Sequence, residues 1–304
     1  MAVQVVVLDE YFLTITLLVS LGWQLLGFII TAVMRFDKLF DLFGGLNFVI
    51  IALMTMLLNR TYFVRQVVMT SLVVAWGTRL SLFLFWRILT TGEDARFDNA
   101  RQNIAKLSVF WIGQLFWVWL VSLPVTLLNS TDRNFALNAA DYVSWTLWAI
   151  GFVFEAWADV SKSVFKSKDE NRGKFCDTDI WKLCRHPNYF GEILMWIAVF
   201  IGCASSFANS EWMYVSIVSP IFITTLILFV SGLPMLEESS DKKYGSQKEY
   251  VAYKRRTSNL LPFPPSLFER LPHWAKQVFF FEWPIYNKLE LGEARQSLRN
   301  EGSA

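Results

Sequence analysis

The chain has 304 residues, 54% hydrophobic and 16% aromatic, against roughly 45–50% apolar residues in ordinary soluble domains, so its composition leans toward lipid. A formal net charge of +2 offers no overall field for nucleic acid. Three cysteines (Cys176, Cys184, Cys203) without a C-x-x-C pair, and only His186 and His273 as nitrogen ligands, support neither a disulfide framework nor a metal site.

In chain order, the apolar residues fall in blocks about as long as the roughly 20-residue helix that a bilayer core requires. They predict helices near 11–34, 43–59, 63–89, 108–128, 142–164, 188–207 and 212–235. The expected fold is all-α, a polytopic membrane bundle of about seven transmembrane helices. Ahead of the first run stand Asp9 and Glu10 rather than a basic region, so this helix is expected to stay in the mature protein. The second run is short and begins at Gly44–Gly45, which allows a re-entrant segment. Lys and Arg concentrate after helices one, three and five, as in Lys166, Lys168, Arg172, Lys174, Lys182 and Arg185, and again in the tail from Lys242. The positive-inside rule then predicts an outside or luminal N-terminus and a cytosolic C-terminus. Beyond Pro262, Pro264 and Pro265, the stretch VFFFEWPIY (Val278 to Tyr286) is too short to span and is expected to lie on the membrane surface. The organisation expected is N-terminal helices over 1–140, a C-terminal membrane domain over 141–265, and a cytosolic or surface tail over 266–304.

A charge inside a span costs about 2.5–3.5 kcal/mol on insertion scales, so Arg79, Glu155, Asp159 and Glu192 each ask for a partner or a purpose. Glu155 and Asp159 are one turn apart and share a helix face. Asp41, beside the glycine pair at a membrane edge, is a candidate proton donor. The junction WKLCRHPNYFGEILMW, from Trp181, has a chemistry suited to an anion. A helix N-terminus supplies unpaired N–H groups and a positive dipole end, Arg185 adds a fixed charge, and Asn188 both donates and accepts.

RHPNYFGE (Arg185 to Glu192) resembles the signature shared by steroid 5-alpha reductases, sterol C14 and C7 reductases and the reductase-like DUF1295 branch of that superfamily. Upstream, FEAWADVSKSVFK (Phe154 to Lys166) is similar to the family helix that supplies an acidic cofactor contact at Asp159. Downstream, LPMLEESSDKKYGSQKEYVAYKRRTSNLLPFPP resembles the closing segment, with Tyr244, Gly245, Tyr250 and Tyr253 ahead of a basic pair. The resemblance implies a membrane-embedded, NADPH-dependent reductase of a carbon–carbon double bond in a lipid that enters from the bilayer. It also implies that Asp159, Asn188 and Glu192 contact the nicotinamide or ribose side. Tyr253 and Arg256, with Lys166 or Lys168, would hold the adenosine and phosphate side, and His186, Tyr189 and Tyr250 belong to the same matched motifs. No G-x-G-x-x-G is present, so a Rossmann domain is not the cofactor site.

The N-terminal half departs from the steroid enzymes. It offers Asp41, WGTRLSLFLFWR (Trp76 to Arg87) and the loop GEDARF (Gly92 to Phe97), a pattern like the reductase-like branch. Asp41 or Arg79 is the expected polarising group. An endoplasmic-reticulum membrane is expected if the source is eukaryotic. Two other readings are kept: an S-adenosylmethionine-dependent isoprenylcysteine- or phospholipid-type methyltransferase, which shares an RHP-x-Y-x-G entry, and a non-enzymatic seven-helix membrane protein.

Overall fold

The computed structural model describes residues 7–91, 97, 103–208 and 210–286, so the loop Gly92 to Phe97 lies outside it except for Phe97. Among the described residues the regular structure is helical, and two isolated bridges are the β pairing present. The helices are α1 (Leu13–Met34), α2 (Phe40–Asn59), α3 (Val64–Thr91), α4 (Ile104–Val121), α5 (Leu123–Ser130), α6 (Ala139–Ser167), α7 (Pro187–Ala204), α8 (Val218–Thr225), α9 (Leu233–Tyr244), α10 (Lys248–Arg256), α11 (Pro265–Phe268) and α12 (His273–Phe280).

Six segments of the described residues are long and apolar enough to cross a membrane: Leu13–Met34, Asp37–Asn59, Val64–Thr90, Ile104–Val121, Pro187–Ala204 and Glu211–Tyr244. The fifth expected run, 142–164, is α6 and is not among these six. Its 29 residues would reach about 43 Å, but Glu155, Asp159, Lys162 and Lys166 put four charges in its C-terminal half.

The side chains of α1 are arranged inside out relative to a soluble helix. Its buried positions are Thr16, Ser20, Gln24, Gly27 and Thr31, spaced three or four residues apart on one face. Its outward face carries Leu18, Leu21, Leu25, Leu26, Ile29 and Val33, each about half exposed or more. Water would penalise that face, whereas lipid matches it, and small or polar residues are what membrane helices place between them. Asp9 starts the helix: its carboxylate accepts from the backbone N–H groups of Tyr11, Leu13 and Thr14 at 2.6–3.0 Å. Burial raises this group's pKa, but those bonds outweigh it and hold Asp9 below the usual carboxylate range.

The chain forms two compact units, 1–148 with 196–223, and 149–195 with 224–304. This division passes through α6 after Trp148 and through α7 after Met195. In the first unit, α2 is one continuous helix from Phe40 to Asn59 rather than a re-entrant turn. Gly44 and Gly45 serve packing instead. A Cβ on Gly45 would strike the Ser81 hydroxyl and come within 3.1 Å of the Gly77 carbonyl, and one on Gly44 would strike the Gln114 amide. The rings of Phe48, Trp76, Trp117 and Trp196 fill this core, with centroids 4.9–5.3 Å apart. Arg65 and Asp141 form a buried pair at 2.6 Å, and Arg65 also donates to the carbonyls of Phe135 and Ala136.

In the second unit, α6 and α7 meet glycine to glycine. A Cβ on Gly151 would sit 2.7 Å from the Gly191 carbonyl, and one on Gly191 would strike the Gly151 carbonyl and lie 2.8 Å from Glu155 N. Residues 226–230 take a π-helical turn, in which Ser231 N reaches back to Leu226 O. The Tyr286 hydroxyl donates to the Leu228 carbonyl in that turn. Residues 265–286 pack into the second unit, because Glu282 and Tyr286 find buried partners there.

Candidate active site

The RHPNYFGE junction is built entirely within the second unit. The chain entering it pairs with a later segment: Arg185 N donates to Ser258 O at 2.9 Å, and Phe263 N to Leu183 O at 3.0 Å. Pro187 then opens α7, where its missing N–H costs nothing and its fixed φ suits a helix start. The result is a helix N-terminus whose preceding residues are pinned on both sides.

Arg185 is buried and its donors are committed to protein groups. Nε reaches Glu237 at 3.1 Å, Nη1 the carbonyls of Lys254 and Thr257 at 3.0 and 2.9 Å, and Nη2 Glu282 at 3.1 Å. His186 Nε2 lies 2.7 Å from the same Glu237 oxygen. Lys254 Nζ bridges Glu237 at 2.9 Å, Asp241 at 2.6 Å and the Tyr286 carbonyl at 2.9 Å. Tyr250 donates to Asp241 at 2.9 Å. Three carboxylates thus meet two fixed cations. Burial raises the Glu282 pKa more than Arg185 lowers it, so on balance the charge of this carboxylate is penalised by its surroundings. Burial lowers the His186 pKa despite Glu237, with Arg185 and Lys162 adding to the effect. The neutral ring donates through Nε2 to Glu237, which leaves Nδ1 as an acceptor.

That acceptor has no partner, and neither has Asn188 Oδ1; both atoms are buried at the start of α7. His186 stacks on Tyr189 at a centroid distance of 5.9 Å. Half-buried Glu192 lies one turn further along α7, and the α6–α7 glycine contact sets Glu155, buried at 3% exposure, against Gly191. Asp159 is half-buried on α6, next to Ala158, whose carbonyl accepts from Trp181 Nε1 at 3.0 Å.

The remaining expected residues divide. Tyr253 is buried and donates to Trp181 O at 2.6 Å, with burial pushing its pKa well up. Lys166 holds the Tyr244 hydroxyl at 2.9 Å and Lys174 O at 2.5 Å. Lys168 and Arg256 are exposed. Asp41 and Arg79 belong to the first unit, both half-buried. Gly77 and Ser81 face α2, which turns Arg79, midway between them, to another side of α3, where it lies 5.6 Å from the Phe83 ring centroid. Sequence reasoning missed Glu237, Asp241, Lys254 and Glu282. Two signals for them were present, the i, i+4 spacings Glu237/Asp241 and Tyr250/Lys254 on short helices.

One pH effect follows from His186. Its folded pKa lies below its ordinary 6.5, so its contribution to stability is present above that value and is lost as pH falls through the lowered one. Thermal stability is expected to drop between roughly pH 7 and pH 5, and His186→Gln to flatten that limb. An unchanged limb in the variant would mean that another group titrates there.

The fold and this junction define the class: an all-α, multi-pass membrane protein with a polar site at a helix N-terminus. The chain belongs to the family described as Protein of unknown function (DUF1295), whose model matches residues 27–257. No curated protein and no solved structure matches it.

Proposed function

We propose that this protein is a membrane-embedded reductase that binds NADPH at the N-terminal end of α7 and reduces a carbon–carbon double bond of a lipid. The observation that carries the reading is the pair of buried, unpartnered acceptors, His186 Nδ1 and Asn188 Oδ1, at the start of an 18-residue helix within the family-matched region. Acceptors suit an amide-bearing ligand, and the helix end suits an anionic one. NADPH has both characters, and when bound it supplies the hydride.

Asp159, Asn188, Tyr189 and Glu192 would hold the nicotinamide and ribose side. Exposed Lys168 and Arg256 would meet the phosphates. Arg185, Tyr250 and Tyr253 act through other groups in this reading: their polar atoms bond to protein, and they fix His186 and the 179–182 turn. Lys166 sets the loop after α6 through Lys174. We assign Asp41 or Arg79 to polarising the substrate. Exposed Lys168, Arg172, Lys174, Lys182, Lys242 and Arg255 support a cytosolic C-terminal side, in the endoplasmic-reticulum membrane if the source is eukaryotic.

Equilibrium binding to the detergent-purified protein tests this reading. Saturable NADPH binding that Asn188→Ala and Glu192→Ala each weaken about tenfold, the scale of one lost charge-assisted hydrogen bond, is the expected result. Binding of S-adenosylmethionine alone would transfer the site to the methyltransferases. Binding of neither would point to a non-enzymatic protein.

A further inference from the structure

The first unit holds a second set of polar groups that the packing does not satisfy. Gln24 on α1, Asn47 on α2, and Trp111 and Gln114 on α4 are all buried, at 4% exposure or less. Gln24 Nε2 and Oε1, Asn47 Nδ2, Gln114 Oε1 and Trp111 Nε1 have no hydrogen-bond partner, nor has Thr31 Oγ1 two turns along α1 from Gln24. These residues share one region. Ser20, one turn before Gln24, donates to Asn47 Oδ1 at 3.4 Å. Gly27, three residues after Gln24, faces the Trp111 ring, and Gly44, three residues before Asn47, faces the Gln114 amide. Residues three or four apart lie on one helix face, so Gln24 stands within a turn of the contacts to both Asn47 and Trp111.

A buried donor or acceptor left unpaired is costly, and a membrane bundle has no bulk water nearby to relieve it. The unpaired atoms include donors (two amide NH2 groups and an indole N–H) and acceptors (two amide oxygens), and α1 carries no ionisable residue from Leu13 to Met34. Gln24, Asn47, Trp111 and Gln114 are themselves uncharged, so the cluster offers hydrogen bonds and no counter-ion of its own. A hydroxyl, which donates and accepts at once, satisfies both kinds. We infer that Gln24, Asn47 and Gln114 form a binding site for the hydroxyl end of an uncharged lipid. The site lies within the first unit and does not depend on the cofactor assignment.

The test is photo-crosslinking of the full chain in phosphatidylcholine nanodiscs, without cofactor, using a diazirine long-chain alcohol, a diazirine sterol and a diazirine alkane. At least one alcohol is expected to label peptides of α1, α2 or α4 about tenfold above the alkane, the scale of one or two well-made buried hydrogen bonds. Excess unlabelled alcohol is expected to erase the excess label, and Gln24→Met to reduce it to the alkane level. Which probe labels tells a chain alcohol from a ring alcohol. Equal labelling by alcohol and alkane, or label that survives competition, overturns the inference. Should Gln24→Met fail to fold, Asn47→Leu and the competition on the unaltered chain decide it.

Discussion

Gly191→Val is expected to destabilise the protein by about 3 kcal/mol or more, at or beyond the upper end of what overpacking usually costs. The reason is that the obstacle is backbone. A Cβ at residue 191 meets the Gly151 carbonyl, Glu155 N at 2.8 Å and Glu155 Cβ at 3.0 Å, none of which is the far end of a flexible side chain. α6 and α7 would have to separate, which would move Glu155 and the first turn of α7 together. Thermal unfolding in detergent is the measurement, with Gly22→Val as the control, since a Cβ at residue 22 has nothing within 4 Å. If both variants unfold within about 2 °C of the parent, the helix contact is looser than described.

Arg185→Met is expected to cost about 3–5 kcal/mol, the range for removing one partner of a buried ion pair. It would strip Glu237 and Glu282 of their shared cation and leave the carbonyls of Lys254 and Thr257 without a donor. The contrast lies in Glu282→Gln. Burial raises the Glu282 pKa, so its charge is penalised by its surroundings; the amide keeps the shape and an oxygen that can accept from Arg185, and its effect is expected to be smaller, about 1 kcal/mol. Denaturation of both variants separates the two cases. A large loss in Glu282→Gln with none in Arg185→Met would reverse the assignment of the hub.

The fold was legible because lipid imposes one strong rule, that spans are long and apolar, and the runs ending near Met34, Asn59 and Ala204 obey it. The Gly44–Gly45 pair was misread because sequence shows a glycine's freedom and not its neighbour. Here the neighbours are Ser81, Gly77 and Gln114, close enough to exclude a Cβ, and the helix runs straight through. Arg185 shows the same limit in the site. Its charge at a helix entry suggests an anion, but Glu237, 52 positions away, and Glu282, 97 away, already occupy it. His186 and Asn188 were legible as motif members. Their unpaired atoms were not, since pairing is a property of the assembled unit.

The tail carries a consequence for synthesis. The family model ends at residue 257, yet Glu282 meets Arg185, Lys254 meets the Tyr286 carbonyl, and the Tyr286 hydroxyl meets the π-turn at Leu228. A chain emerging from the ribosome makes these groups in the wrong order, with the helices first and their last polar partners some thirty residues after the family pattern has closed. The second unit can insert early but can mature only late. A chain stopped at residue 257 would therefore hold a complete family motif around an incomplete interior, the kind of intermediate that quality-control proteases recognise.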